Sequence, residues 1–480
     1  MRSTARIRRR PELLILEDRT GLDGTILASG AIAGTLPPLQ VGQFVEVNPT
    51  SGATTVVPGI TTGPTSSPFV PIAQVVAMAS PGDGQPIVVG TQAAIAGTPT
   101  GTVVGRLNTA NGTIQVLAQF RLSDAKRLLD SASSVAVGFD GTIFVAGLGS
   151  DPSGVIRGSF AKVVRIDPAT HDATVVTTFR PVTNLLGQVT ARPTLSTPIG
   201  IAVTSDNRIL LGGTAFPPSL TTATGQDLIR VVSIDPAFGA STVLKEFNTR
   251  ATGALAPLLT SFSGIAVGAG GPAYLSGAGP RFGSKKSVPT VLSMNTVTGA
   301  TSIVVQYQPG SSGGPSSLDR IDSITATPSM AGFVVAGVRR VGSADQARIV
   351  SYDPKTGNPT LLTDFRTMGS NRFTAITGLA YGQVPRGRSI RLSASGDTTG
   401  RVGQRLRLDL RTTANGPMPS GPFQYEVNWG EARPSVTRIQ SGAKATARHI
   451  YKRAGTYRVT AVVKYAGGAS QPLTWTITVG

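Results

Sequence analysis

Runs of four to eight apolar residues, alternating with small or polar ones and broken by Asp, Asn, Gly and Pro, fill the chain from about residue 23 to its end. A period of two with this punctuation predicts strands joined by tight turns. One unit recurs: "FVEVNPTSGATTVVPGI" (44–60), "VVGRLNTANGTIQVLAQF" (103–120), "VVRIDPATHDATVVTTF" (163–179), "VVSIDPAFGASTVLKEF" (231–247), "VLSMNTVTGATSIVVQY" (291–307) and "IVSYDPKTGNPTLLTDF" (349–365). The residue ending its first apolar run is Asn48, Asn108, Asp167, Asp235, Asn295 or Asp353, and the apolar residue closing it always lies 12 positions later. A constant length implies a hairpin of constant register, because a one-residue slip would turn every side chain to the wrong face. Asp167, Asp235, Asn295 and Asp353 are therefore read as turn formers, which supply a side-chain acceptor and tolerate tight backbone. The alternative role for the carboxylates among them is calcium ligation.

A second unit precedes the hairpins: "SVAVGFDGTIFVAG" (134–147), "GIAVTSDNRILLGG" (200–213), "GIAVGAGGPAYLSG" (264–277) and "SITATPSMAGFVVAG" (323–337), with a looser copy at 74–90. Two hairpins per period of about 60 residues make a four-stranded sheet, and such periods point to propellers or solenoids. The ends choose between them. "AITGLAYGQ" (375–383) is a first strand with no second, and "DGTILASG" (23–30) is a second strand with no first. Pairing 375–383 with 23–30 closes a ring and leaves no open edge. The fold class expected is all-β, a six-bladed β-propeller over 21–383, followed after a linker at 384–388 by a β-sandwich of immunoglobulin-like size over 389–480. Helical periodicity is confined to "SDAKRLLDS" (123–131), enough for two turns.

Composition narrows the chemistry. The 480 residues contain no Cys and only two His, His171 and His449, which excludes the usual Cys/His zinc sites and any disulfide framework. The first strands "VAV", "IAV", "IAV" and "ITA" offer no carboxylate, and no Ser/His/Asp or paired-acid constellation stands out, so neither catalytic residues nor a cofactor are expected. The alternative is a propeller enzyme of metal-dependent lactonase or lyase type. No stretch has the ~18 apolar residues of a spanning helix.

The net charge of +19 falls unevenly. Sorting by topology puts short, regular turns on one face of the ring and connections of variable length on the other. The variable face gathers 15 Lys and Arg against six Asp, among them Arg157, Arg281, Lys285, Lys286, Arg339, Arg340 and Arg372. A cationic rim attracts polyanions through its summed field. The bland alternative is a set of ordinary solvated loop charges. No nucleic-acid signature accompanies the charge.

Three resemblances add expectations. Residues 8–20, "RRRPELLILEDRT", within a basic leader or tail over 1–20, resemble the short Arg-rich LEDR-type leader of many envelope and exported bacterial proteins, which implies an extracellular or envelope location. The repeat architecture is similar to that of NHL and gluconolactonase-like propellers. In the C-terminal part, "VNWG" (427–430) and "HIYKRAGTYRVTAVV" (449–463) resemble the PKD domain, placing Trp429, Gly430, Tyr451, Gly455 and Tyr457 in its core and turns. "GEARPS" departs from that family's pattern, with Glu431 where an Asp is usual. Such modules act as extracellular spacers or bind proteins and carbohydrates, so the expected partners are an extracellular polysaccharide, an anionic envelope polymer or a protein.

Overall fold

The computed structural model describes residues 25–480 except 33–41, 50, 58–71, 82–84, 93–100, 110, 122–127, 139–140, 151–157, 184–188, 205, 217–227, 250–256, 269–271, 282–285, 310–316, 328–331, 342–343, 355, 366–372, 383–389, 415–422, 432–435, 466–467 and 470–472. The leader at 1–20 and the linker at 384–388 lie outside the described residues. Among the described residues every regular element is a strand. The helical expectation at 123–131 fails where it is described: Leu128–Asp130 are irregular and Ser131 opens a strand.

Among the described residues of the N-terminal region, six antiparallel sheets of four strands follow one another. Sheet one joins Phe373–Gly382, Thr25–Ile32, Gly42–Val47 and Thr54–Val56. Sheet two holds Ile72–Ala79, Ile87–Gln92, Gly101–Asn108 and Thr113–Arg121. Sheet three holds Ser131–Val137, Ile143–Ser150, Ser159–Ile166 and Ala173–Phe179. Sheet four holds Thr197–Val203, Ile209–Ala215, Leu228–Ile234 and Ser241–Asn248. Sheet five holds Ser261–Val267, Ala273–Pro280, Ser287–Met294 and Thr301–Gln306. Sheet six holds Arg320–Ala326, Phe333–Val341, Ala344–Asp353 and Asn358–Phe365. Sheet one is thus built from both ends of this region, with Leu379 opposite Ala28 and Tyr381 opposite Ile26.

Neighbouring residues of a strand point to opposite faces, and here both faces are apolar. Ile26 and Ala28 pack against Val334 and Ile349 of sheet six, while Leu27 between them packs against Val88 and Val103 of sheet two. Among the described residues the apolar core of this region divides into six clusters, each between two successive sheets, and one of them joins sheet six to sheet one. The inner strands, first in each sheet, touch in the same cyclic order.

Each sheet carries bulges in fixed places. Between inner and second strand, a residue drops out of register at one equivalent place in every sheet, Val76, Ser133, Ile199, Ser263, Asp322 or Thr377, and sheets one and two drop a second, Thr374 and Ala73. In sheets two to six the hairpin of the third and fourth strands bulges nine residues after its anchor, as at Val176 and Leu244. The outer bulge builds the contact between sheets. A Cβ at Gly239 or Gly299, in the turns of sheets four and five, would lie 2.2 and 2.0 Å from the carbonyl oxygens of Val176 and Leu244 in the preceding sheets. Gly52 of sheet one meets Leu362 of sheet six in the same way, at 2.1 Å.

Beyond residue 389, a three-stranded sheet of Ile390–Gly396, Arg405–Ala414 and Lys444–Ile450 packs on a second sheet containing Phe423–Asn428, Val436–Ser441, Gly455–Tyr465 and Leu473–Val479. Leu406, Leu408 and Leu410 from the first and Tyr425, Val427 and Val459 from the second share one core around Trp429.

The second strands carry, opposite the inner bulge, a glycine that the close approach of the inner strand demands. A Cβ at Gly277 would lie 2.0 Å from the Ser261 carbonyl oxygen, so the alanine can fit only by displacing the inner strand. Gly277→Ala is expected to destabilise the protein by about 1–3 kcal/mol, as read by urea denaturation; an unchanged midpoint would contradict the close approach.

Candidate functional site

Bulges re-aim side chains, and here the inner bulges turn six of them toward one place. Val76, Ser133, Ile199, Ser263, Asp322 and Thr377 all line a cavity of about 410 Å³ bounded by the six inner strands. The residue after each bulge is small (Ala77, Ser134, Gly200, Gly264, Ser323, Gly378) because the next sheet's inner strand packs against it. A Cβ on Gly264 would stand 3.0 Å from Ile324 Cγ2, and one on Gly378 3.1 Å from Met78 Cγ. Four residues before each bulge stands a buried apolar anchor: Ile72, Leu129, Leu195, Leu259, Leu318 or Phe373.

Asp322 corrects an expectation from sequence. The inner strand of sheet six does present a carboxylate to the axis, because the bulge takes Asp322 out of the alternation that begins at Ser323. Its oxygens accept from Arg320 Nε at 2.5 Å and, more distantly, from Arg320 Nη2 at 3.5 Å. The aspartate side chain is 14% exposed and the arginine 57%. Burial raises the Asp322 carboxyl above the usual carboxylate range, with the hydrogen bond and charge of Arg320 and the Ile376 N–H opposing. A signal for this residue exists in the sequence: aligned on the small residue that follows, the six bulged positions form one column.

The turn residues sit far from the axis, at the ends of the outer hairpins. Asp167 Oδ1 accepts from the N–H groups of Ala169 (2.8 Å) and Thr170 (3.1 Å), Asp235 Oδ1 from Ala237 (2.8 Å), and Asn295 Oδ1 from Val297 and Thr298 (both 2.9 Å). These backbone bonds lower the Asp167 carboxyl from its ordinary value. Asp353 accepts the Gly357 N–H on its carbonyl at 3.0 Å, the same closure as in the other turns. At the position of Gly239 and Gly299 sheet three has His171, held at φ 63°. Among the described residues no group of three His, Asp or Glu side chains converges as metal ligands.

Of the rim cations, Arg281 and Lys286 are exposed and flank one second-to-third connection, joined by a backbone bond from Arg281 N–H to the Lys286 carbonyl (2.8 Å). In the equivalent connection of sheet six, Arg340 is exposed and 3.4 Å from Asp345, its N–H donates to Asp319 (2.6 Å), and Arg339 is half-buried. Arg157, Lys285 and Arg372 lie outside the described residues. Internal pairs fix the crossovers that lead to the inner strands. Arg230 pairs with Glu246 at 2.7 Å and donates to the Thr194 carbonyl, and the fully buried Arg348 pairs with Asp364 and donates to that of Ser317.

In the C-terminal part Trp429 Nε1 donates to Thr437, Tyr451 Oη to the Trp429 carbonyl and Tyr457 Oη to that of Arg453. Gly430 adopts φ 75° with the Arg458 carbonyl against it, and Gly455 opens the strand that carries Tyr457. His449 stacks on Trp429 and lies 3.2 Å from Glu431.

No protein-family model matches the sequence, and no curated protein matches it. Among solved structures the chain is similar to the PKD domain of an M14-like peptidase from a Thermoplasmatales archaeon, 25% identical over 19% of this chain and 95% of that one, with a TM-score of 0.16. It is similar to the β-propeller domain of the Trilobed protease from Pyrococcus furiosus, 10% identical over 86% and 96% of the two chains, TM-score 0.31. It is also similar to hydrazine synthase of Kuenenia stuttgartiensis, 9% identical over 96% and 68%, TM-score 0.41.

A carboxyl raised by burial favours the protonated form of the folded state. Asp322 therefore lowers stability as pH climbs from the ordinary value of 3.8 through its raised native value. Asparagine mimics the neutral acid. The stability of Asp322→Asn relative to the parent should rise between about pH 4 and pH 7 in chemical denaturation; a difference independent of pH would show that Asp322 is not desolvated.

Proposed function

We propose that this chain is a closed six-bladed β-propeller joined to a PKD-like sandwich, and that it is an exported, non-catalytic binding protein of the cell envelope or its exterior. The propeller presents its variable-loop face to a polyanion, an acidic polysaccharide or anionic envelope polymer, with the sandwich as spacer or adhesion module. One observation carries the reading: exposed cations, Arg281, Lys286 and Arg340, sit on second-to-third connections, which share a face, while the opposite face is built from turns closed by their own backbone. A rigid scaffold bearing variable, charged loops is the usual arrangement of a binding surface. The charge supports attraction of an extended polymer better than a pocketed anion, because the cations are spread over two sheets, Arg281 and Lys286 on sheet five and Arg340, already paired with Asp345, on sheet six. The competing reading, a propeller lactonase or lyase, would draw on Asp322. Among the described residues that aspartate has no second acid beside it in the cavity.

On a heparin column the protein should be retained and released by salt, as surface charge attraction is screened over about 10 Å at 0.1 M. The triple variant Arg281→Ala, Lys286→Ala, Arg340→Ala should elute at clearly lower salt, with an unchanged thermal midpoint. Equal elution of variant and parent would remove the rim from the account. Retention on DNA above that on heparin would favour nucleic acid instead.

A further inference from the structure

The axial cavity is lined differently from the rim, with one carboxylate, hydroxyls and aliphatic side chains. In ring order the bulged residues are Thr377, Val76, Ser133, Ile199, Ser263 and Asp322, so Ser263, Asp322 and Thr377 form a polar arc facing Val76, Ser133 and Ile199. Three of the hydroxyls have protein partners. Ser133 Oγ donates to the Ala146 carbonyl at 3.2 Å, Ser263 Oγ is 2.9 Å from Ser276 Oγ, and Thr377 Oγ1 lies 3.4 Å from Ser29.

A hydroxyl carries one donor and two lone pairs, so Ser263 Oγ, half-buried in the cavity wall beside Asp322, keeps capacity beyond its bond with Ser276. Asp322 adds acceptors, since a carboxylate has about four lone-pair positions and Arg320 with the Ile376 N–H occupies only part of them.

Chemistry narrows the occupant. An anion would be repelled by Asp322. A second cation gains little where Arg320 already compensates that charge. A divalent metal would find one carboxylate and neutral hydroxyls. A neutral molecule rich in O–H donors meets the groups present: a diol can donate to both Asp322 oxygens, Ser263 can donate to or accept from a further hydroxyl, and Val76 with Ile199 covers a C–H face. The volume of about 410 Å³ lies within the range of small-molecule sites, about 300–1,000 Å³.

We infer that the axial cavity is a binding site for a neutral polyhydroxylated ligand, one sugar or cyclitol unit, held by Asp322 and Ser263. The site is independent of polyanion binding at the rim, so either can fail alone.

The test uses the full chain with glucose, galactose, mannose and myo-inositol as probes at millimolar concentration, and glucuronate and glucosamine as charged comparisons. Saturation-transfer NMR and thermal shift report binding. At least one neutral probe should bind saturably and more tightly than either charged sugar. Asp322→Asn should weaken it tenfold or more, and Ile199→Trp, which fills the cavity from the apolar arc, should abolish it. Heparin retention should not move in either variant. Absence of binding by all four neutral probes overturns the inference, as does a preference for a charged sugar or full affinity in Asp322→Asn. If Asp322→Asn fails to fold, Ser263→Ala replaces it, with an expected loss of threefold or more, and unchanged affinity there is equally fatal.

Discussion

Every sheet of the N-terminal region is apolar on both faces, and that constraint organises the rest. A sheet with one apolar face needs one neighbour; a sheet with two needs two, and a linear stack always leaves its end sheets with one face bare. A ring leaves none. The packing follows that logic, since Ile26 and Ala28 face sheet six while Leu27 faces sheet two. Sheet one can join the ring only because its inner strand comes from the far end of the region. Closure is therefore a hydrophobic requirement as much as a matter of strand pairing.

Bulges at the inner strands of all six sheets, and at the outer hairpins of sheets two to six, convert this packing into a shape with an inside and an outside. At the outer edge, the bulge turns a carbonyl toward the turn glycine of the next sheet, as Val176 does toward Gly239. Near the axis, the bulge turns a side chain into the cavity and brings the inner strand against a glycine of the second strand. The axial positions are thereby released from packing. They hold Ser, Thr, Asp, Val and Ile, whereas the position that follows each is confined to Gly, Ala or Ser.

The same feature governs how much can be read in the sequence. The hairpins are legible because turn chemistry and the closing residue are local. Asn48 to Asp353 anchor them, and Phe120, Phe179, Phe247, Tyr307 and Phe365 close them in the core. The two-faced burial of the middle strands is legible in runs such as "IFVAG" (143–147), where alternation disappears. Asp322 was hidden because a bulge breaks the period of two. A strand begun at Ser323 leaves "RID" as loop, and so leaves out the carboxylate that the described residues place on the axis. The anchors Leu129, Leu195, Leu259 and Leu318 were hidden for a related reason: each stands outside the strand that follows it. In the C-terminal part, the inward alternation of Leu406, Leu408 and Leu410 survives without interruption, and those three side chains are buried together.

Ring closure is the claim on which the cavity, the two faces and the rim all depend, and the absence of native cysteine makes it directly measurable. Cysteines placed at Ala28 and Leu379, which are opposite each other in the register of sheet one, should form an intramolecular disulfide in the folded protein under mild oxidation. The bond should raise the thermal midpoint, because it ties the two ends of the ring together. Thiols that stay free in the folded protein, or that link only between molecules, would mean that the two strands are not neighbours and that the ring is open.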